Sequence, residues 1–210
     1  MPAGAARTRY RDRVARPLPL QAEVVHRCFV LRRWSAHDAA ALQEAVVESR
    51  AELMPWLAWA SHEPLTVDER RLFILDSERQ WDAGTGYGFG IFVEDRVIGA
   101  RGLHRQLGQG GLEIGYWIRT SCVGTGYATD ATCLLTEIGF EVQHISRIEI
   151  RHDAANRASG RVAEKLGFTK CAELPSATEA PGGTGTEWVW RMTRRRWLAT
   201  DRPGRRRAFS

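Results

Sequence analysis

The chain has 210 residues, of which 43% are hydrophobic, and this composition predicts one globular domain with one sizeable core. Its formal charge of +5 comes from its ends: residues 1–20 hold five Arg and one Asp, residues 194–210 hold seven Arg and one Asp, and the stretch between them carries 18 basic and 23 acidic side chains. No apolar run approaches 18 residues and no apolar leader follows the N-terminus, so a membrane span and secretion are not expected.

The charge pattern divides the chain into a basic tail at 1–22, a folded domain at 23–193 and a basic C-terminal tail at 194–210. Segments rich in Arg, Pro, Gly and Ala bury too little surface to offset the entropy of ordering, so we expect both tails to be solvated and partly disordered. Weak adhesion of the tails to RNA or the ribosome is a further expectation, and it depends on charge alone.

The four cysteines, at positions 28, 122, 133 and 171, form no C-x-x-C pair and have no His at zinc spacing. Neither a metal site nor a disulfide framework is therefore predicted. A reducing cytoplasm is the expected compartment, and a monomer or homodimer without membrane contact is the expected state.

The first half of the chain begins with a predicted strand at residues 26–34 and a helix from Ser35 to about Ser49. A second short helix, broken near Pro55, is expected at 50–60. Thr66 begins a capping box for a helix that ends at Gly84. The core positions expected on that helix are Leu72, Phe73, Leu75 and Trp81.

The second half contains a predicted hairpin of two strands, at about 86–94 and 96–104, and a central strand at 112–119. A helix at 125–142 carries an apolar stripe made of Ala128, Ala131, Leu135, Ile138 and Val142. The remaining predicted elements are a strand at 147–151, a helix at 156–165, strands at 168–171 and 187–192, and a mobile loop at 175–186 between those two strands. This order predicts an α/β domain with a largely antiparallel sheet.

A glycine turn, Gly124-Thr-Gly126-Tyr-Ala-Thr129, separates the central strand from the next helix. Such a turn leaves several N–H groups unpaired at the positive end of the helix dipole, where a phosphate binds well. A nucleotide-binding Walker loop is excluded because Tyr127 and Ala128 stand where it needs Lys and then Ser or Thr. A dinucleotide fold stays a minor alternative, since its ribose-binding acid should close a strand and Glu149 lies inside one.

Coenzyme A is the third interpretation, because its pyrophosphate needs the same turn and its pantetheine amides can pair with a strand edge. Residues 113–168 resemble the GNAT superfamily of acetyl-CoA-dependent N-acetyltransferases, in the branch similar to the RimJ/RimL ribosomal-protein N-terminal acetyltransferases. The resemblance covers about residues 26–193. It implies a mixed, largely antiparallel sheet flanked by helices and acetyl-CoA as cofactor. Ser121 stands where the family's pyrophosphate loop usually has Gln or Arg.

The resemblance also implies the cofactor contacts. Asn156 and Ser159 match the family's Asn-x-x-Ser, so Asn156 is assigned to pantetheine and Ser159 to the protonation of the leaving thiolate. Ala163 occupies the place where many members carry a Tyr acid. The full set of expected cofactor-binding residues is Trp117, Ile118, Val123, Gly124, Thr125, Gly126, Tyr127, Ala128, Asn156 and Ser159.

Glu113, on the central strand, is the candidate general base, since it resembles the strand position at which many members carry one. The acceptor side is expected from residues 44–60, where carboxylates stand next to indoles that suit a cation. Candidate acceptor contacts are Glu48, Trp56, Trp59 and His104. For each of these residues the alternative is an ordinary role: a solvated Glu, a core Trp or a packing His.

The predicted function is transfer of acetyl to a primary amine by direct attack in a ternary complex, with a protein or peptide N-terminus as the favoured acceptor. An α-amine suits a site with one carboxylate, because its pKa of about 7.7–8.0 leaves a useful neutral fraction near pH 7. Two alternatives stay open. One is a small-molecule acceptor such as a polyamine or an aminoglycoside, and the other is a non-catalytic acyl-CoA-binding or RNA-associated module.

Overall fold

The structure, a computed structural model, describes residues 20–176 and 180–199. The strands are β1 Glu23–His26, β2 Phe29–Arg33, β3 Gly86–Val93, β4 Arg96–His104, β5 Gly111–Ile118, β6 Arg147–Asp153, β7 Thr169–Pro175 and β8 Thr186–Thr193. The helices are α1 Ala39–Leu53, α2 Val67–Ala83, α3 Tyr127–Glu141, α4 Arg157–Lys165 and α5 Arg194–Ala199. Most of both predicted tails, residues 1–19 and 200–210, lies outside the described residues.

The strands form one sheet in the order β1-β2-β3-β4-β5-β6-β8-β7. Every neighbouring pair is antiparallel except β5 and β6, which run parallel. Helices α1 and α2 pack against β4 and β3, whereas α3 and α4 pack on β5 and β6. This mixed sheet with flanking helices confirms the predicted fold class.

Helix α3 follows the predicted pattern, because its buried residues include Ala131, Leu135 and Ile138. They pack with Ile148 and Ile150 of β6 in the larger of two buried clusters. The smaller cluster joins α1 to the other side of the sheet and includes Trp117 of β5. β5 therefore has α3 on one face and the pair α1 and α2 on the other.

Three local expectations are wrong. The strand predicted at 26–34 is a hairpin of β1 and β2 that turns at residues 27–28. The helix predicted at 50–60 is the end of α1 followed by a 3₁₀ turn at Ala58–His62. The structured part extends past residue 193, because α5 buries Trp197 beside Phe140 with 6.2 Å between ring centroids.

The core face of α2 also differs from the prediction. Leu72 and Phe73 are 64% and 53% exposed, while Ile74 and Arg70 are buried. The helix has this phase because Arg70 forms a buried ion pair with Glu63 and donates from Nε to Gln43 Oε1 at 3.0 Å. No helix within the described ranges is both long and apolar enough to cross a membrane.

The Glu63–Arg70 pair makes a stability prediction. Arg70→Met should destabilise the fold by about 3–5 kcal/mol, because it leaves a buried carboxylate without its cation. Arg71→Met is the matched control, since Arg71 pairs with Asp68 on the exposed surface and such pairs contribute about 0–1 kcal/mol. Urea unfolding measures both changes, and equal losses would contradict the argument.

Candidate active site

An opening in the sheet begins where β5 and β6 stop pairing. Their parallel register runs from Gly111 with Arg147 to Ile114 with Ile150, although both strands continue beyond these residues. Arg119 donates its backbone N–H to Ile98 of β4 at 2.8 Å. Because strand backbone groups alternate in direction, Tyr116 and Ile118 point their N–H and C=O groups toward the opening. The opening is therefore bordered by a free strand edge.

The glycine turn lies at the end of β5 that borders this opening. Gly124 and Gly126 have φ of +78° and +96°, and a Cβ on either would meet nothing within 4 Å. Gly126 caps the N-terminus of α3. Within the described chain, the backbone N–H groups from Gly124 to Ala128 have no acceptor. Five backbone donors without an acceptor, at a helix start with open space at both glycines, form a candidate site for a phosphorylated group.

Helix α1 holds the turn through Arg119. Arg119 Nε donates to Glu48 Oε2 at 2.6 Å, and its Nη2 donates to Glu44 Oε1 at 2.6 Å. Glu48 Oε1 also accepts from the backbone N–H of Ser121 at 3.2 Å. The Arg119 hydrogen bond lowers the pKa of Glu48 to about 2. Glu48 was expected to contact the acceptor, but both of its carboxylate oxygens accept hydrogen bonds from Arg119 and Ser121, just before the glycine turn.

Arg96 supplies a cation next to Ser121, the position where the resemblance leads us to expect Gln or Arg. Its Nη2 donates to Ser121 Oγ at 3.2 Å and lies 3.6 Å from Glu48 Oε2. Arg96 comes from the β3–β4 hairpin, 25 positions earlier in the chain. The sequence around the turn therefore could not predict that Arg96 contacts Ser121.

Asn156 and Ser159 lie at the start of α4, across the opening from β5. Asn156 Oδ1 caps the helix by accepting from the Ser159 N–H at 3.1 Å. Ser159 Oγ and the Tyr116 hydroxyl are 2.8 Å apart. Burial raises the pKa of Tyr116, so its hydroxyl stays protonated at neutral pH. Tyr116 is not among the residues predicted for the site, although strand alternation places it on the same face as Ile114.

Trp117 does not face this side. Its side chain is buried on the α1 side of the sheet, with its ring centroid 6.4 Å from that of Trp59. Its backbone points toward β4, since it shares the direction of Arg119. The predicted cofactor contact of Trp117 therefore finds no support in either its backbone or its side chain.

His104 and Glu113 stand opposite each other on β4 and β5, on the α1 face of the sheet. A Cβ on Gly102 would lie 2.5 Å from His104 Nε2, and one on Gly115 would lie 3.6 Å from it. These two glycines leave room for the imidazole to reach the edge of the opening. Burial lowers the pKa of His104, so the ring is neutral at pH 7.

The Glu113 carboxylate contacts Arg151, with Oε2 3.6 Å from Nε. Burial raises the pKa of Glu113, and the Arg151 cation opposes this. Arg151 also donates to Glu149 at 3.0 Å, and Glu149 accepts from Arg191 Nε at 2.8 Å. Glu149 is 2% exposed in this cluster, so it cannot bind a ribose and the dinucleotide interpretation fails.

On the α1 face, the segment that leads from Pro55 into the 3₁₀ turn at Ala58–His62 contacts the loop before β8. Trp59 is 38% exposed in this segment, and Trp56 is half-buried next to Pro55. The loop is attached at two points. Gly182 N–H donates to Pro55 O at 3.0 Å, and Thr184 N–H donates to Asp153 Oδ2 at 2.7 Å. Its described part is therefore anchored, in contrast to the mobile loop that we expected.

Known proteins share this architecture. The family model for the acetyltransferase (GNAT) domain matches residues 29–169. YdaF of Bacillus subtilis (strain 168), which is named as a candidate ribosomal N-acetyltransferase, is 29% identical over 146 residues, covering 69% of this chain and 79% of YdaF.

Two solved structures show the same fold. RimL, the ribosomal L7/L12 alpha-N-protein acetyltransferase solved with coenzyme A, has a TM-score of 0.75 at 21% identity and covers 81% of this chain and 97% of its own. Mycobacterium smegmatis RimJ, solved with a CoA-disulfide, has a TM-score of 0.72 at 22% identity and covers 85% of this chain and 87% of its own. The chain therefore belongs to the GNAT family of acetyltransferases.

Proposed function

We propose that this chain transfers acetyl from acetyl-CoA to the N-terminal α-amine of a protein or peptide, by direct attack in a ternary complex. The observation that carries the proposal is the opening between β5 and β6. On its α3 and α4 side lie the glycine turn, whose N–H groups are free to bind a phosphate, and the hydroxyls of Tyr116 and Ser159. On its α1 side lie the neutral imidazole of His104 and the carboxylate of Glu113.

The residues around the opening fit coenzyme A. The free N–H groups of the Gly124–Ala128 turn suit its pyrophosphate, and Arg96 lies against Ser121 just before the turn. The open backbone edge at Tyr116 and Ile118 suits the pantetheine amides, and Asn156 keeps its side-chain amide N–H groups for the same arm. When bound, the cofactor supplies an activated acetyl thioester and a thiolate leaving group.

In this proposal, His104 and Glu113 serve to accept the proton of the incoming amine. The neutral imidazole reaches the opening, and Glu113 stands directly across the strand pair from it. An α-amine needs little help, because its pKa of about 7.7–8.0 lies close to neutrality. We therefore assign the role of base to His104, which was expected in the acceptor pocket, with Glu113 across the strand pair from it and in contact with Arg151.

In this proposal, Ser159 donates the proton that the thiolate needs on leaving. Tyr116 can donate to Ser159 Oγ, which leaves the serine hydroxyl hydrogen free to point into the opening. The Ser159 carbonyl oxygen, 3.2 Å from the Tyr116 hydroxyl, is the other acceptor that its single hydrogen can reach. The hydroxyls of Tyr116 and Ser159 together take the place of the single tyrosine acid that many family members carry where this chain has Ala163.

The acceptor assignment has two supports. On the α1 face Trp59 is partly exposed, and the anchored loop is attached nearby at Pro55, so an indole is available to an incoming chain end. The relative YdaF carries a ribosomal N-acetyltransferase name, and RimL is described as acting on a protein α-amine.

Acetyl-CoA turnover against matched acceptors tests the proposed function. We expect peptides with a free N-terminus to be acetylated, and the same peptides with a blocked N-terminus and an internal Lys to react at least about tenfold more slowly, since a Lys amine with a pKa of about 10.4 is mostly protonated. Turnover of polyamines or aminoglycosides alone would overturn the acceptor. Binding without turnover of any amine would indicate the non-catalytic module.

The cofactor turn is tested by Gly126→Trp, which places a large side chain in the open space before α3. Coenzyme A at about 100 times its Kd should stabilise the unmodified protein by about 2.7 kcal/mol, measured as a rise in Tm, and this rise should disappear in the variant. Gly108→Trp is the matched control, because Gly108 also has positive φ and open space but lies in the β4–β5 turn. A retained rise in Gly126→Trp would refute the placement.

The hydroxyl couple is tested by Ser159→Ala and Tyr116→Phe. We expect single-turnover acetylation to slow by about 10²-fold in Ser159→Ala and about tenfold in Tyr116→Phe, with little change in KM, because general acids act mainly on the chemical step. Tyr87→Phe removes a buried phenol on β3 and serves as control. An unchanged rate in Ser159→Ala would remove its role as acid.

A further inference from the structure

Arg101 on β4 is a buried cation without a carboxylate partner. Its side chain lies under α3, and the residue is 3% exposed. Nη1 donates to Thr132 Oγ1 and Nη2 donates to the carbonyl oxygen of Ala128. Its Nε is buried and has no acceptor within the described ranges. Its guanidinium carbon lies 4.8 Å from the centroid of the Tyr116 ring.

Two other buried arginines behave differently. Arg70 pairs with Glu63, and Arg119 pairs with Glu44 and Glu48. Among the residues that the structure describes, no carboxylate lies within ion-pair distance of Arg101. Burying a charge without a partner is costly, and burial lowers the pKa of this guanidinium from its ordinary value. Asp130, exposed in the first turn of α3, and the Tyr116 phenol are the groups that oppose this shift.

The position of Arg101 makes the missing partner more unusual. Ala128 is the second residue of α3, so the guanidinium lies within the first turn of that helix. A helix start is already positive, and a cation there is unfavourable by itself. The same turn begins with the free N–H groups of Gly124 to Ala128. Two sources of positive charge therefore converge on one open site.

We propose that Arg101 is the buried counter-charge of the cofactor's pyrophosphate, acting through the first turn of α3 and without touching the cofactor. The proposal rests on the proposed function, since it requires coenzyme A at the Gly124–Ala128 turn. Arg101 is thus a positioning residue. It adds a fixed positive charge that solvent screens little, and its hydrogen bond to Ala128 holds the turn that carries the N–H donors.

Arg101→Met and Arg101→Lys separate charge from packing, with coenzyme A and pantetheine as the two ligands. Pantetheine keeps the amides and the thiol but lacks the pyrophosphate. By titration calorimetry we expect Arg101→Met to bind coenzyme A about tenfold more weakly while its affinity for pantetheine stays the same, and Arg101→Lys to restore most of the loss.

Equal weakening for both ligands, or no weakening for either, would overturn the proposal and leave the proposed function standing. Failure of the unmodified protein to bind coenzyme A would instead overturn the proposed function. If Arg101→Met does not fold, NMR of the unmodified protein tests the proposal through the Nε–H resonance of Arg101. This resonance is assigned because it is absent from the spectrum of Arg101→Lys. It should shift with coenzyme A and stay in place with pantetheine, and a resonance that ignores coenzyme A would contradict the proposal.

Discussion

The separation of β5 from β6 after Ile114 and Ile150 is the constraint on which the site depends. Two parallel strands that part leave N–H and C=O groups that water or a ligand must satisfy. The helices that follow the two strands, α3 and α4, both begin at this end of the sheet. A phosphate-binding turn, a helix cap and a bare strand edge therefore meet in one place because of topology, before any individual side chain contributes.

Local signals account for what the sequence predicted well. The glycine turn needs positive φ, the Thr66 capping box satisfies its own helix start, and the stripe on α3 repeats at helical spacing. Each of these depends on residues a few positions apart. The mixed, largely antiparallel sheet, the turn and the Asn156–Ser159 helix start were predictable for this reason.

Contacts between distant segments account for what was missed. Arg96 reaches Ser121 from another hairpin, Tyr116 meets Ser159 across the opening, and Glu48 holds Arg119 from α1. The phase of α2 follows Arg70, whose partner Glu63 lies outside the helix. Arg101 can be noticed from its neighbours, because it is the charged residue in the apolar interior of β4, between Ala100 and Gly102. This position marks the residue as unusual, but it does not indicate which groups the side chain contacts.

The two faces of β5 have a consequence for how molecules reach the site. Tyr116 and Ser159 lie on the α3 and α4 side, whereas His104 and Glu113 lie on the α1 side. In the proposed reaction, donor and acceptor would therefore enter from opposite faces and meet only through the gap in the sheet. A single inhibitor that occupied both halves would have to be slender at its centre, with no more bulk there than an unbranched chain, and wide only at its two ends.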